Sequence, residues 1–208
     1  MSEHPLAALR NHLQELGLLK KSALRSWTKV ALLFAIVATL YLTHLLLPLG
    51  WSIALLPLTG LFTTTLAMTG HEGVHSSACN SRFGNVSLAA IVFPLFSGLS
   101  MEHWRDKHNV KHHAHPNVID KDPDIQVWPL AFSVVDYENS SRVRKFFQKN
   151  LQGWLFWPLT LFAGHTMRLE SIQFLAKHPF KVSKKKRFNR LWVLDCTMLV
   201  FHYFLWLV

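Results

Sequence analysis

Two groups of histidines stand out in the sequence because of their spacing. His71 and His75 are four residues apart, as are His108 and His112, and His113 follows directly. Residues four apart lie on one face of a helix, which is the spacing of a two-imidazole metal clamp. On an α-helix His113 is turned by about 100° from His112, so it would serve a second metal or another edge of the same one. The spacing therefore predicts a metal site with five imidazole ligands.

The number and type of these ligands leave several kinds of metal chemistry open. Five imidazoles exceed the three or four protein ligands of a zinc site, and imidazole suits iron, zinc, copper and nickel. A histidine-rich site with no cysteine nearby beyond Cys79 fits two irons that activate oxygen. The run His71-Glu72-Gly73-Val74-His75 also matches the HExxH pattern of zinc metalloproteases, in which Glu72 would be the general base. That alternative leaves the second histidine group unexplained, and a metal-binding protein without enzymatic activity is a third interpretation.

Polar side chains near these histidines are candidates for orienting the ligands. A ligating imidazole commonly donates its other N–H to a carboxylate or a carbonyl. Glu72 and Asp106 are candidates for that role, and Asn117 could orient an imidazole or a water, although a plain loop residue is the more ordinary interpretation. Asp120–Asp124 is interpreted as a turn around Pro123. The other histidines are interpreted as solvated, capping or buried residues without a ligand role: His4, His12, His44, His103, His115, His165, His178 and His202.

The elements that must position these residues include a long apolar segment. The chain has 208 residues, of which 50% are hydrophobic and 16% charged, and Val30–Ala67 contains no Asp, Glu, Lys or Arg. A single helix of that length would be about 57 Å long, almost twice the ~30 Å hydrocarbon core of a bilayer. Pro48 and Gly50 lie near the middle of the segment and favour a turn. The segment therefore predicts a hairpin of two membrane-spanning helices, Val30–Leu47 and Trp51–Met68.

The charged residues indicate how this hairpin is oriented and which protein classes are excluded. The net charge is +10, and all 22 Lys and Arg lie outside the hairpin. The positive-inside rule then places the N-terminus and everything after Met68 in the cytosol. The composition excludes a disordered chain, and the uneven distribution of charge argues against a nucleic-acid-binding domain. Two cysteines cannot form a disulfide framework.

Three further apolar segments complete the predicted architecture. Val86–Met101 and Leu151–Met167 are short for a span and contain Pro and Gly, so we interpret them as interfacial or re-entrant helices. Leu191–Val208 predicts a third spanning helix, apolar except for one Asp and one His. We therefore expect an all-α membrane protein with a cytosolic N-terminal segment, residues 1–29, and a membrane domain over residues 30–208.

At the two histidine groups the sequence resembles the membrane fatty acid desaturase family. The first group matches that family's box H-x(3,4)-H, and the second matches H-x(2,3)-H-H. The runs Trp104–Asn109, His113–Asn117, Lys121–Ile125 and Leu155–Leu159 are similar to the bacterial acyl-CoA and acyl-lipid desaturase branch. Each box alone is a weak signal, but the ordered pair behind a spanning hairpin is specific.

This resemblance implies an oxygen-dependent enzyme of lipid metabolism. It implies two non-haem iron ions, with the five histidines of the two boxes among their ligands, and the removal of two hydrogens from a fatty acyl chain on CoA or a lipid. It also implies a separate electron donor of the cytochrome b5, ferredoxin or reductase type. The protein would be a multi-pass protein of a bacterial inner membrane, with both boxes on the cytosolic side. A related hydroxylase or ketolase, or the zinc metalloprotease, is the alternative.

The family also has a third box, (H/Q)-x-x-H-H, which follows a fourth spanning helix. The sequence contains neither feature. We therefore expect the chain to be the N-terminal part of a longer desaturase-like protein, and to lack part of the iron ligand set on its own.

Overall fold

The protein is helical throughout the part of the chain that the structure describes. A computed structural model describes residues 5–178 and 190–207, and these ranges contain no β-strand. The predicted all-α fold is confirmed. The lysine-rich run Lys184–Arg187 and His4 lie outside the described residues. The helices are α1 Pro5–Glu15, α2 Ala23–Leu46, α3 Leu49–Val74, α4 Arg82–Ala90, π1 Ile91–Ser97, α5 Met101–Trp104, π2 Arg105–His112, α6 Val134–Glu138, α7 Arg142–Asn150, α8 Gln152–Thr160, α9 Ala163–Lys177 and α10 Arg190–Leu207.

The chain divides into two compact units, Met1–Ala89 and Ala90–Val208, and the first contains the predicted hairpin. Helices α2 and α3, with 24 and 26 residues, are each long and apolar enough to cross a membrane. Their lengths of about 36 and 39 Å exceed the ~30 Å hydrocarbon core. Two helices of spanning length and composition thus form where the pair of spans was predicted. Helix α2 begins before its predicted start and ends one residue before its predicted end, whereas α3 extends beyond both of its predicted bounds. The predicted boundary between the N-terminal segment, residues 1–29, and the membrane domain, residues 30–208, therefore lies inside α2.

Polar contacts join the two helices of the hairpin. The ring nitrogens of His44 on α2 lie 2.6 Å from the hydroxyl of Ser52 and 2.8 Å from that of Thr59, both on α3. The interpretation of His44 as a satisfied histidine is therefore confirmed. Helix α2 also buries a row of side chains three and four residues apart, which is the spacing of one helix face: Val30, Leu33 and Val37.

The second unit begins with a helix that bends sharply. Segment π1 contains Pro94, which has no N–H to donate and interrupts regular α-helical bonding. Gly98 then adopts a left-handed backbone with φ of 69°, and a new helix begins at Met101. The helices before and after this break meet at 110°, as in a broken span or a re-entrant loop. The helix predicted over Val86–Met101 therefore ends at Ser97, before the left-handed Gly98, and the sharp bend is in line with the interfacial or re-entrant interpretation.

The remaining predicted segments also form helices, with different bounds. Leu151–Met167 contains α8 and the first residues of α9, separated by Leu161 and Phe162, and α9 continues to Lys177. Among the described residues, neither is long and apolar enough to span a membrane, in line with the interfacial interpretation. Helix α10 forms at the predicted third span. It is not one of the two helices, α2 and α3, that are long and apolar enough to cross a membrane. Its crossing of a membrane stays a prediction.

Candidate metal centre

The first histidine pair lies at the C-terminal end of α3. His71 is in the last turn of the helix, and His75 is the residue that ends it. Their Nε2 atoms are 3.1 Å apart, and their ring centroids are 4.4 Å apart. The four-residue spacing thus brings the two imidazoles together, as expected. Two nitrogens bound at near right angles to one metal, each at about 2.1 Å, are separated by about 3 Å, so this pair has the spacing of a metal clamp.

Close packing inside the first unit holds the end of α3. A Cβ at Gly73 would lie 2.9 Å from the carbonyl oxygen of Asn85 and 3.0 Å from the nitrogen of Ala89, so the backbone of α4 lies directly against Gly73. The side chain of Asn85 in turn accepts N–H groups of the loop that follows His75, including that of Cys79 at 2.9 Å. The positions of the His71 and His75 imidazoles therefore depend on the absence of a side chain at Gly73.

The second histidine group lies on π2, where the helix is wider. The N–H of His113 donates to the carbonyl of His108 at 3.0 Å, which is an i→i+5 hydrogen bond. In such a turn His112 and His113 lie on either side of His108. The ring centroids are 4.9 Å apart for His108 and His112, 4.8 Å for His108 and His113, and 5.5 Å for His112 and His113. The α-helical geometry expected for this segment is wrong, and the π-helix brings all three rings together.

Carboxylates orient two of these imidazoles. Nδ1 of His108 lies 2.8 Å from Oδ2 of Asp124, and Nδ1 of His112 lies 2.9 Å from Oδ2 of Asp122. An ionised carboxylate can only accept, so each Nδ1 carries the proton and Nε2 is the unprotonated nitrogen of each ring. One ligand atom from each of His108, His112 and Asp124 lies within 4.8 Å of the others. Unprotonated imidazole nitrogens suit a transition metal, and in this arrangement Asp124 accepts a proton from His108 instead of acting as a ligand.

The surrounding loop holds Asp122 in place. Its side chain has 0% exposed surface, and its carboxylate accepts the N–H of Asn117 at 2.7 Å and that of Asp124 at 2.9 Å. Burial by itself would raise the pKa of Asp122, but these two N–H groups and the imidazole of His112 outweigh burial and lower the pKa. Asn117 has a left-handed φ of 61°, which Asn tolerates better than most residues. Asp122 therefore stays ionised and aligned with His112.

Glu72 and Asp106, the two acidic residues expected to orient imidazoles, pair with lysines. Glu72 accepts from Nζ of Lys29 at 2.9 Å, and Asp106 accepts from Nζ of Lys111 at 2.6 Å. These contacts do not support the orienting role expected of Glu72 and Asp106. The backbone N–H of Asn117 donates to Asp122, so the contact of this residue with the second histidine group runs through that carboxylate. An orienting role for the side chain of Asn117 stays a prediction.

The segment Asp120–Asp124 is more than the expected turn around Pro123, because two of its carboxylates pair with imidazoles. Asp122 is ten residues from its partner and Asp124 is sixteen residues from its partner. No helical or strand periodicity connects residues so far apart, so the spacing of residues in the sequence predicted neither contact. The available signal was a pair of aspartates two apart, shortly after the second box.

His103 also differs from the solvated residue expected of it. It lies in α5, with Nδ1 3.3 Å from the hydroxyl of Ser171 and its ring centroid 5.3 Å from that of Phe174. Burial, followed by the positive charge of Lys107, lowers the pKa of His103 to about 4. The imidazole is therefore neutral near pH 7 and packs as a half-buried polar residue.

The fold and these histidine groups define a class, that of helical membrane proteins with histidine-rich candidate metal sites. Comparison with known proteins specifies the family. The fatty acid desaturase family model matches residues 48–208, a range that includes all five histidines and both orienting aspartates. The chain belongs to the fatty acid desaturase family.

The chain is similar to curated desaturases over parts of their length. It is 33% identical over 123 residues to the Delta(6)-fatty-acid desaturase fat-3 of Caenorhabditis elegans, covering 59% of this chain and 27% of that protein. It is 25% identical over 173 residues to the sn-1 oleoyl-lipid 12-desaturase of Synechocystis sp., covering 78% and 45%. It is 26% identical over 211 residues to the sn-1 oleoyl-lipid 12-desaturase of Picosynechococcus sp., covering 97% and 56%. The chain thus spans between 27% and 56% of the length of these relatives. No solved structure matches it.

Proposed function

We propose that the protein is an oxygen-dependent fatty acyl desaturase with two iron ions held by imidazoles of His71, His75, His108, His112 and His113. The observation that carries this proposal is the arrangement on π2, where three rings lie together and two of them are oriented by carboxylates. Membership of the desaturase family supports the reaction class. The donor set supports the metal, because imidazole nitrogens are suitable ligands for iron.

When bound, the irons would supply the activation of O₂ and the abstraction of hydrogen from unactivated C–H bonds. In the overall reaction, two adjacent acyl CH₂ groups, O₂, two electrons and two protons give a double bond and two waters. The chain's own contribution is to hold the ligands. Asp124 and Asp122 keep protons on Nδ1 of His108 and His112, and the N–H of Asn117 keeps Asp122 from rotating.

The acyl chain would be carried on CoA or a lipid and would reach the site from the bilayer. Two apolar helices and relatives named for oleoyl-lipid and other fatty acyl substrates support this part of the proposal. The two electrons would come from a separate donor of the cytochrome b5, ferredoxin or reductase type. The charge-free hairpin supports a multi-pass arrangement, and the Lys and Arg that flank it support a cytosolic position for the histidines. The membrane would be a bacterial inner membrane, as the resemblance to bacterial desaturases implies.

Reporter fusions test the sidedness. A reporter fused after Asn150 and another fused after Lys177 flank α8 and α9, and both should score cytosolic. If the fusion after Lys177 scores outside while the fusion after Asn150 scores cytosolic, α8 and α9 together cross the membrane. That result would contradict the interfacial arrangement.

The reaction is tested on the natural protein in a host membrane that supplies an electron donor. Gas chromatography of the lipids measures double bonds, and elemental analysis of the purified protein measures iron. The wild type and His115→Ala, a matched exposed histidine in the loop after π2, should both hold iron and form unsaturated chains. His112→Ala should lose both properties. Hydroxylated or keto products would instead indicate the related oxygenases, and stoichiometric zinc without iron would favour the HExxH protease.

A further inference from the structure

The bend between π1 and α5 directs the helix that carries the second histidine group. Helix α5 runs directly into π2, so the start of α5 determines where His108 and His112 lie. The bend is buried, since Ser100 and Met101 each have 0% exposed surface. A buried helix end needs partners for the N–H and C=O groups that the helix itself cannot satisfy.

A side chain of α10 caps the amino end of α5. Asp195 accepts the N–H of Met101 at 3.1 Å, the N–H of Glu102 at 3.0 Å and the hydroxyl of Ser100 at 2.6 Å. The oxygen of that hydroxyl accepts the N–H of His103 at 2.9 Å. The first three N–H groups of the helix are therefore satisfied. The carboxylate, which is also 0% exposed, lies at the positive end of the helix dipole, where a negative charge is stabilised.

The other side of the bend, the end of π1, is held as well. His202 of α10 donates from Nδ1 to the carbonyl of Leu95 at 3.0 Å, and Arg168 of α9 donates from Nε to the carbonyl of Ser97 at 2.9 Å. A Cβ at Gly98 would lie 2.5 Å from Nε2 of His202, so this position has no space for a side chain. The bend therefore fits tightly against α10.

Each of the two later helices thus contacts both sides of the bend. Asp195 and His202 are seven residues apart on α10, which places them on one face. Arg168 and Ser171 are three apart on α9, and the hydroxyl oxygen of Ser171 accepts the N–H of Ser100 at 3.0 Å. These contacts join residues 71 to 107 positions apart in the chain. Contacts made at such separations fix the bend only after both later helices have packed.

We propose that Asp195 is a positioning residue for the second histidine group, because it sets the residue at which the helix Met101–His112 begins. The inference rests on the proposed metal-binding role of His108 and His112. A shift of the helix start by one residue rotates every later side chain by about 100°. A carboxylate accepts from all three donors, whereas an amide at this position would present its own N–H to them and leave at least one unpaired.

The test is a Co²⁺ titration of the purified natural protein, followed by the visible absorption of the bound metal. Asp195→Asn is compared with wild type and with Cys196→Ala, a matched change at the next, half-buried position of α10. We expect Asp195→Asn to elute as a folded protein, to bind Co²⁺ at least about tenfold more weakly and to alter the ligand-field spectrum. Cys196→Ala should behave as wild type. A folded Asp195→Asn protein with unchanged affinity and spectrum would overturn the proposal.

If Asp195→Asn does not fold, Ser100→Ala decides the question. It removes the hydroxyl that links Asp195 to the N–H of His103 and keeps the two direct contacts to the backbone of α5. The proposal expects a smaller loss of Co²⁺ affinity with a changed spectrum, and wild-type binding by this variant overturns it. Failure of the proposed function can be told apart from failure of this proposal. If the wild type binds Co²⁺ through His112 but does not desaturate lipid, the proposed function is wrong and the comparison of metal binding between variants is still valid.

Discussion

His112 and Asp122 are joined by a hydrogen bond of 2.9 Å between imidazole Nδ1 and a fully buried carboxylate oxygen. The carboxylate also accepts two backbone N–H groups, from Asn117 and Asp124. Because the acceptor cannot move without losing those bonds, the imidazole that donates to it is fixed as well. The loop after π2 therefore acts together with the helix in setting the direction of Nε2.

Replacing Asp122 tests this relationship directly. We expect Asp122→Asn to weaken metal binding by about 10- to 100-fold, the typical loss when the partner of a ligating histidine is changed. Metal competition titrations on the purified protein measure the affinity. Asp120→Asn is the matched control, because Asp120 is exposed and its left-handed φ of 63° suits Asn equally well. Equal affinities for the two variants would contradict the orienting role.

Glu72→Gln separates the desaturase from the HExxH protease. The carboxylate of Glu72 pairs with Lys29 in a half-exposed contact, which contributes about 0–1 kcal/mol. We therefore expect Glu72→Gln to keep most of its desaturation in cells, while His75→Ala falls to background because it removes a proposed iron ligand. In a zinc protease the same glutamate takes the proton from the attacking water. Loss of all turnover with full metal content in Glu72→Gln would favour the protease.

Gly73→Ala should lower the stability of the first unit. The added Cβ would meet backbone atoms of α4 at 2.9 and 3.0 Å, and overpacking of this kind costs about 1–3 kcal/mol in the free energy of unfolding. Gly60→Ala, in the same helix, meets nothing within 4 Å and should be neutral or slightly stabilising. Thermal unfolding in detergent compares the two variants. A midpoint for Gly73→Ala equal to that of Gly60→Ala would show that the close approach of α4 is not maintained in solution.

Acid should destabilise the metal-free protein through His103. Burial holds the pKa of His103 at about 4 in the folded state, against about 6.5 when it is exposed. Between these pH values the unfolded chain binds a proton that the folded chain does not, so the free energy of unfolding falls as the pH is lowered from about 6.5 to 4. Denaturant titrations across this range should show a weaker pH dependence for His103→Gln than for wild type. His115→Gln, a change at an exposed histidine, should retain the wild-type slope.

Local patterns in the sequence were sufficient for several features. The charge-free segment with a turn near its middle predicted α2 and α3, because hydropathy and length alone decide whether a helix can cross a bilayer. The four-residue spacings predicted that His71 and His75 meet, and that His108 and His112 meet, because residues one turn apart share a face whatever the helix packs against.

The tertiary structure decided the features that depend on distant residues or on an irregular backbone. His113 joins His108 because the helix widens to a π-turn there, and a widened turn leaves no mark on the spacing of the histidines. Asp122 and Asp124 reach their imidazoles through a loop with left-handed residues, and Asp195 caps α5 from 93 to 95 positions away. The sequence by itself determined which side chains could bind a metal and which helices are apolar. Only packing determined which carboxylates orient them, because a hydrogen bond between distant residues exists only once the elements that carry them are in place.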